Sequence, residues 1–87
     1  MQIRQVCVRH PRGLHARVAA RIVLLVSRFK CRVELALNGR TADARNIVAV
    51  MLLAAGVGSA VRIETSGVDE REALDALSAL ISSKHVL

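Results

Sequence analysis

Apolar and polar positions alternate from Ile3 to Arg9, with Val6 and Val8 on one face, which predicts a strand. His10-Pro11-Arg12-Gly13 then reads as a turn, because Pro fixes φ and Gly frees it. From Ala16 to Phe29 the period lengthens to that of a helix, and Val18, Ile22, Leu25, Val26 and Phe29 form one apolar stripe. A separate face of the same helix carries Arg17, Ala20, Arg21, Leu24 and Arg28. A Leu set among Ala and Arg reads as a docking surface. Arg32 to Leu37 alternates cleanly, with Val33, Leu35 and Leu37 on one side. Asn38-Gly39 is a strong hairpin signal, since a type I′ turn needs φ > 0 at both central positions. Arg40 to Ala44 is the return strand.

Asn46 is placed to cap a short helix starting at Ile47, with Gly56 and Gly58 expected to end it. That helix is apolar all round, so it is either sandwiched or partly exposed to a partner. Ala60 to Thr65 reads as a fourth strand with Val61 and Ile63 inward. Asp69 and Glu72 form a capping-box variant ahead of a second helical stripe, Ala73, Leu74, Leu77, Leu80 and Ile81. The order βαββαβα, with helices as crossovers, predicts an α+β fold: a two-layer, open-faced β-sandwich with a four-stranded antiparallel sheet and three helices on one face. The other face of the sheet is expected to meet solvent. At 87 residues the chain is one domain, 1–87.

Composition narrows the functional classes. The apolar share is 53%, yet Phe29 is the one aromatic residue, so the core has to be filled by small branched side chains. Residues 1–45 hold ten basic groups against two acidic ones, Glu34 and Asp43, a net of +8, whereas residues 46–87 carry a net of −2. Such a half suggests nucleic acid, an anionic surface or an acidic protein partner. With one aromatic there is no stacking platform for single-stranded nucleic acid. No apolar run is long enough to span a membrane, and the N-terminal stretch lacks a signal-peptide core, which together predict a cytoplasmic protein without membrane insertion. Cys7, Cys31, His10, His15 and His85 show no zinc spacing, so neither metal nor cofactor is expected. His10 beside the turn Pro and His85 in a fraying C-terminus read as solvated residues without a role.

Gly13-Leu14-His15-Ala16-Arg17 carries the candidate chemistry. It sets a His at a helix start, where amides are unpaired and the dipole is positive, with an Arg two residues on. An anion attached to that His would meet free donors, the dipole and Arg17. The same surroundings disfavour imidazolium and keep the ring nucleophilic. From spacing alone, an ordinary cap or surface His remains the other reading.

The run Gly13 to Ala19 resembles the active-site signature of HPr, the family of histidine-containing phosphocarriers of the bacterial phosphoenolpyruvate-dependent sugar phosphotransferase system. The resemblance continues through Asn38-Gly39-Arg40-Thr41, Asn46 to Met51, Ser66-Gly67 and Asp69 to Leu74, nearly the whole chain. It implies that His15 accepts a phosphoryl group on Nδ1 from phosphorylated enzyme I and passes it to a IIA component of a sugar permease. It further implies that Arg17 steadies that group, and that Ala20, Arg21, Leu24, Ile47, Val48 and Met51 dock successive, transient partners with acidic rims. A monomer is expected.

Three positions depart from the family. Val18 replaces the usual Pro after the Arg, lowering helix propensity and restoring an N–H donor. Asn46 stands at the regulatory Ser position, where an amide can cap a helix but cannot be phosphorylated. Arg12 replaces a small polar residue and is read as a second cation for the phosphoryl group. In the family's sheet order the fourth strand separates the first and second, so Cys7 and Cys31 are expected to stay as thiols. Two alternatives stand beside this reading. One is a regulatory relative that takes phosphate on His15 but signals to nitrogen or carbon regulators. The other is a basic domain binding nucleic acid or acidic protein, with His15 structural.

Overall fold

The computed structural model describes residues 1–84, so the expectation about His85 lies outside the described residues. Seven elements follow the predicted order: β1 (Gln2–Cys7), α1 (Ala16–Val26), β2 (Arg32–Leu37), β3 (Arg40–Asp43), α2 (Ile47–Leu52), β4 (Ala60–Ser66) and α3 (Glu70–Ile81). The four strands form one antiparallel sheet in the order β1-β4-β2-β3. Placing β4 between β1 and β2 makes its inward pair, Val61 and Ile63, the centre of the core. There they join Val33 and Leu35 of β2 beneath Val18, Ile22 and Val26 of α1 and Leu74, Leu77 and Ile81 of α3. The opposite face carries Arg32, Glu34, Arg62 and Glu64 and is largely open. This is the open-faced sandwich.

Local chemistry explains the element ends. Asn38 and Gly39 take φ of 51° and 79°, the left-handed pair that a type I′ hairpin demands. Helix α1 stops at Val26, short of the expected Phe29. Its last carbonyls are taken by other donors: Ser27 Oγ donates to Leu24 O at 2.6 Å, and the Arg45 guanidinium donates to Val26 O and Phe29 O. Phe29 still packs on the core from the turn beyond. Asn46 caps α2 as expected, its Oδ1 accepting from Ala49 N–H at 3.1 Å.

Two expectations at helix ends are corrected. Gly56 and Gly58 do not end α2. The helix closes at Leu52, and Ala54 makes the reversal with φ at +54°. Alanine is strained there because its Cβ crowds the neighbouring carbonyl. Ala54→Gly is therefore expected to stabilise the protein by about 0.5 to 1 kcal/mol, raising the melting temperature by a few degrees in a thermal scan. The Asp69–Glu72 capping box is also absent. Asp69 is the N-cap residue but its side chain makes no cap bond. Its Oδ2 instead accepts from Lys30 N–H at 2.8 Å, holding the carboxyl below its usual range. The other oxygen, Oδ1, is buried without a hydrogen-bond partner among the described residues, while the Cys31 thiol and the backbone N–H groups of Cys31 and Asp69 also favour the charged carboxylate. Glu70, the first residue of α3, instead reaches back along the chain, its Oε1 accepting from Gly67 N–H ahead of the helix.

Both cysteines are free. They are separated along the sheet as well as across it: Cys7 lies opposite Ala60, and Cys31 precedes Arg32, which lies opposite Ser66. Those registers sit ~20 Å apart along β4. Burial pushes the Cys31 thiol up, aided by the Asp69 carboxylate. Among the described residues no helix is long and apolar enough to cross a membrane, and no cluster could hold a metal ion.

Candidate functional site

The segment between β1 and α1 is short and tightly held. Gly13 N–H donates to His10 O at 2.9 Å, closing a turn with Pro11 at its second position. Leu14 N–H donates to Ala55 O, also at 2.9 Å, and the Leu14 side chain is buried. Gly13 adopts φ of +69°, and a Cβ there would stand 2.3 Å from Ala55 O and 2.8 Å from Gly56 Cα. Only glycine lets the turn lie against that loop. The chain thus arrives at His15 from a fixed direction.

His15 is the N-cap of α1, with extended backbone (φ −75°, ψ −177°). Its carbonyl accepts from Ala19 N–H at 2.8 Å, and its Nδ1 accepts from Arg17 N–H at 3.3 Å. The ring therefore does what Ser or Asn does at other helix starts. An accepting nitrogen carries a lone pair, so Nδ1 is the unprotonated nitrogen and it points at the positive end of the helix. Among the described residues the amides of Ala16 and Val18 have no acceptor. The half-buried ring leaves its edge open to an incoming group.

Arg17 and Arg12 are both exposed, Arg17 on the first turn of α1 and Arg12 at the third position of the preceding turn. Among the described residues neither guanidinium makes a hydrogen bond or ion pair. Val18, where a Pro is usual, is fully buried and leaves the helix start in place at Ala16. The position contributes a core side chain together with one more free amide.

The expected docking residues fall on two packed helices. Leu24 on α1 is 63% exposed and Val48 on α2 is 60% exposed, with Ile47 and Met51 beside it. Ala20 is half-buried and Arg21 lies in solvent. Two further exposed apolar side chains, Leu52 on α2 at 67% and Val57 in the loop beyond it, do not follow from the sequence periodicity. Leu52 could have been found from the all-apolar composition of α2; Val57 sits in a loop, where periodicity has no meaning. Two concavities of about 560 and 600 Å³ lie on the open sheet face and by the hairpin, and neither is lined by His15, Arg12 or Arg17.

One expectation is overturned. His10 is not solvated. It is buried, 1% exposed, and its Nε2 lies 2.9 Å from Leu80 O in the last turn of α3. A ring beside a turn Pro looks exposed from local sequence, but the turn folds it inward against a helix nearly the whole chain away.

Fold and site together define a class: small proteins in which an open-faced sandwich presents a helix-capping histidine beside an apolar, basic face. Comparison with known proteins gives the family. The family profile described as PTS HPr component phosphorylation site matches residues 3–83. Phosphocarrier protein HPr of Cupriavidus necator is 51% identical over 72 residues, 83% of this chain and 81% of that protein. Phosphocarrier protein NPr of Proteus mirabilis is 40% identical over 83 residues, 94% of this chain and 92% of that protein. The crystal structure of a phosphocarrier protein HPr from Bacillus anthracis str. Ames superposes with a TM-score of 0.89 at 39% identity, covering 92% of this chain and 95% of that one. The chain belongs to the HPr family of phosphocarriers of the phosphotransferase system.

Proposed function

We propose that the chain accepts a phosphoryl group on Nδ1 of His15 from phosphorylated enzyme I and donates it to the IIA components of sugar permeases. The observation that carries this reading is the aim of the Nδ1 lone pair at the amides opening α1. In the transfer, the Nδ1–phosphorus bond forms as the donor's nitrogen–phosphorus bond breaks. The proton on Nε2 stays in place, so no general base is needed. The phosphoryl oxygens then take over the Arg17 N–H and the free amides of Ala16 and Val18. The Arg17 guanidinium neutralises part of the dianion, and Arg12 supplies a second cation.

Docking is assigned to Ala20, Arg21, Leu24, Ile47, Val48 and Met51, extended by Leu52. The apolar residues supply contact area, while Arg17, Arg21 and Arg28 meet acidic rims and speed encounter. Asn46 has no hydroxyl, so control by phosphorylation at that position is absent. The chain is read as a cytoplasmic monomer that turns over nothing by itself. Likeness to carriers named HPr and NPr leaves acceptance of phosphate common to both, so the regulatory reading differs in the recipient and not in the site.

Incubation with phosphoenolpyruvate and enzyme I tests the proposal. The expected result is an acid-labile mass gain of one phosphoryl group, lost in His15→Ala and shorter-lived in Arg12→Ser. A chain that gains no mass, or gains it equally in His15→Ala, returns the molecule to a basic binding domain with a structural histidine.

A further inference from the structure

His10 is the sole buried residue between Val8 and Gly13; Arg9, Pro11 and Arg12 are all exposed. Strand pairing has already ended, the last exchanges being Val8 N–H to Ser59 O and Gly58 N–H to Val8 O. The turn that delivers His15 would be loose at its near end but for the His10 ring. That ring reaches Leu80 O, and a carbonyl only accepts, so Nε2 is the donor and carries the proton. Leu80 O belongs to the last turn of α3, beyond the regular helical ladder, and it also accepts from the cap N–H of Ser82 and from Ser83 N–H at 3.3 Å. The second ring nitrogen, Nδ1, is buried and has no partner among the described residues.

A half-satisfied imidazole is a poor filling for a core, where an apolar side chain of similar size would avoid desolvating Nδ1. What the imidazole adds is direction: one bond that sets where the turn sits relative to α3. The segment is then pinned at His10 by α3, at Leu14 by Ala55 O, and at His15 by α1. Two segments distant in sequence, the end of α3 and the loop at Ala55, together with the adjoining start of α1 fix five consecutive peptide bonds. We infer that His10 is a positioning residue: its Nε2–H bond to Leu80 O anchors the turn and so holds the His15 ring with Nδ1 on the Arg17 amide. This rests on the reading of His15 as phosphoryl acceptor.

The test uses the full-length chain in three forms: wild type, His10→Leu and His10→Gln. Leucine fills the space without a donor, whereas the Gln amide nitrogen reaches the position of Nε2. Long-range nitrogen–proton NMR spectra of the wild type should show the His10 proton on Nε2 and the His15 lone pair on Nδ1. In His10→Leu the His15 tautomer should become mixed and the Arg17 amide resonance should move. Phosphoryl acceptance from enzyme I should slow roughly tenfold in kcat, with KM within about twofold, as expected for lost alignment and not lost docking. His10→Gln should return kcat to within about threefold of wild type. A folded His10→Leu protein with unchanged kcat and His15 tautomer overturns the inference, as does a Gln variant no better than Leu. Should the Leu variant not fold, a wild-type His10 proton on Nδ1 is enough to refute it. A wild type that accepts no phosphoryl group on His15 removes the functional reading instead, and the tautomer and amide measurements still decide whether His10 sets the ring.

Discussion

Gly13→Ala is expected to destabilise the protein by about 3 kcal/mol and lower its melting temperature by on the order of 10 to 20 °C. Two penalties combine. Alanine at φ +69° is strained by about 1 to 2 kcal/mol, and its Cβ would stand 2.3 Å from a backbone oxygen that cannot yield as a side-chain end does. Relief requires the Ala55–Gly56 segment to retreat, which removes the acceptor of the buried Leu14 amide, a further loss of about 1 to 3 kcal/mol. Gly39→Ala is the control. Gly39 has a similar φ of +79° but nothing within 4 Å of its Cβ position, so it suffers the strain alone. The measurement is a pair of thermal or urea unfolding curves. Equal losses in the two variants would show that the approach of the turn to Ala55 is unimportant. At temperatures where Gly13→Ala remains folded, phosphoryl acceptance should fall as well, since Leu14 and His15 follow Gly13 directly.

Val48→Glu should do the reverse, sparing the fold and removing partner recognition. Val48 is 60% exposed, so the change leaves the core untouched. It falls just after the Asn46 cap and Ile47, where a carboxylate is favoured by the helix dipole and by helix propensity. Stability is expected within about 0.5 kcal/mol of the parent. At the proposed docking face, however, the charge would be desolvated among Leu24, Met51 and Leu52 and repelled by an acidic partner. The expected effect on phosphoryl acceptance from enzyme I is a loss on the order of 100-fold in kcat/KM, carried by KM, with kcat near wild type. A normal KM in a stable Val48→Glu protein would take this face out of the contact.

Much of this architecture is legible in the chain because two periods dominate it. Val33 and Leu35 share an inward face of β2 just as their alternation requires, and Val18, Ile22 and Val26 lie buried along α1 at helical spacing. Asn38-Gly39 and the Asn46 cap act through their own backbone, so a local reading captures both. Misreadings occur where a distant group competes. Asp69 was expected to cap α3, but the amide of Lys30, from another part of the chain, holds its carboxylate. Helix α1 ends at Val26, short of the Phe29 that its periodicity predicts, and Arg45 binds carbonyls that a longer helix would have kept. Helix α2 differs for a local reason: its composition predicts an end at the glycines, but Ala54 makes the reversal.

The site divides in the same way. That His15 opens a helix with Arg12 and Arg17 near it in sequence follows from Gly13 to Arg17 read as a helix start, because capping and the dipole are properties of adjacent residues; its proposed role as phosphoryl acceptor comes from the resemblance of that run to HPr. Sequence alone also determined the element order, the aliphatic core and the basic first half. Only the tertiary structure decided that Nδ1 is the accepting nitrogen, that Ala55 presses against Gly13, and that His10 lies beneath the end of α3. The reason is physical: burial, a backbone clash and a hydrogen bond across 70 residues depend on which elements become neighbours, and neighbours in space leave no periodic trace along the chain.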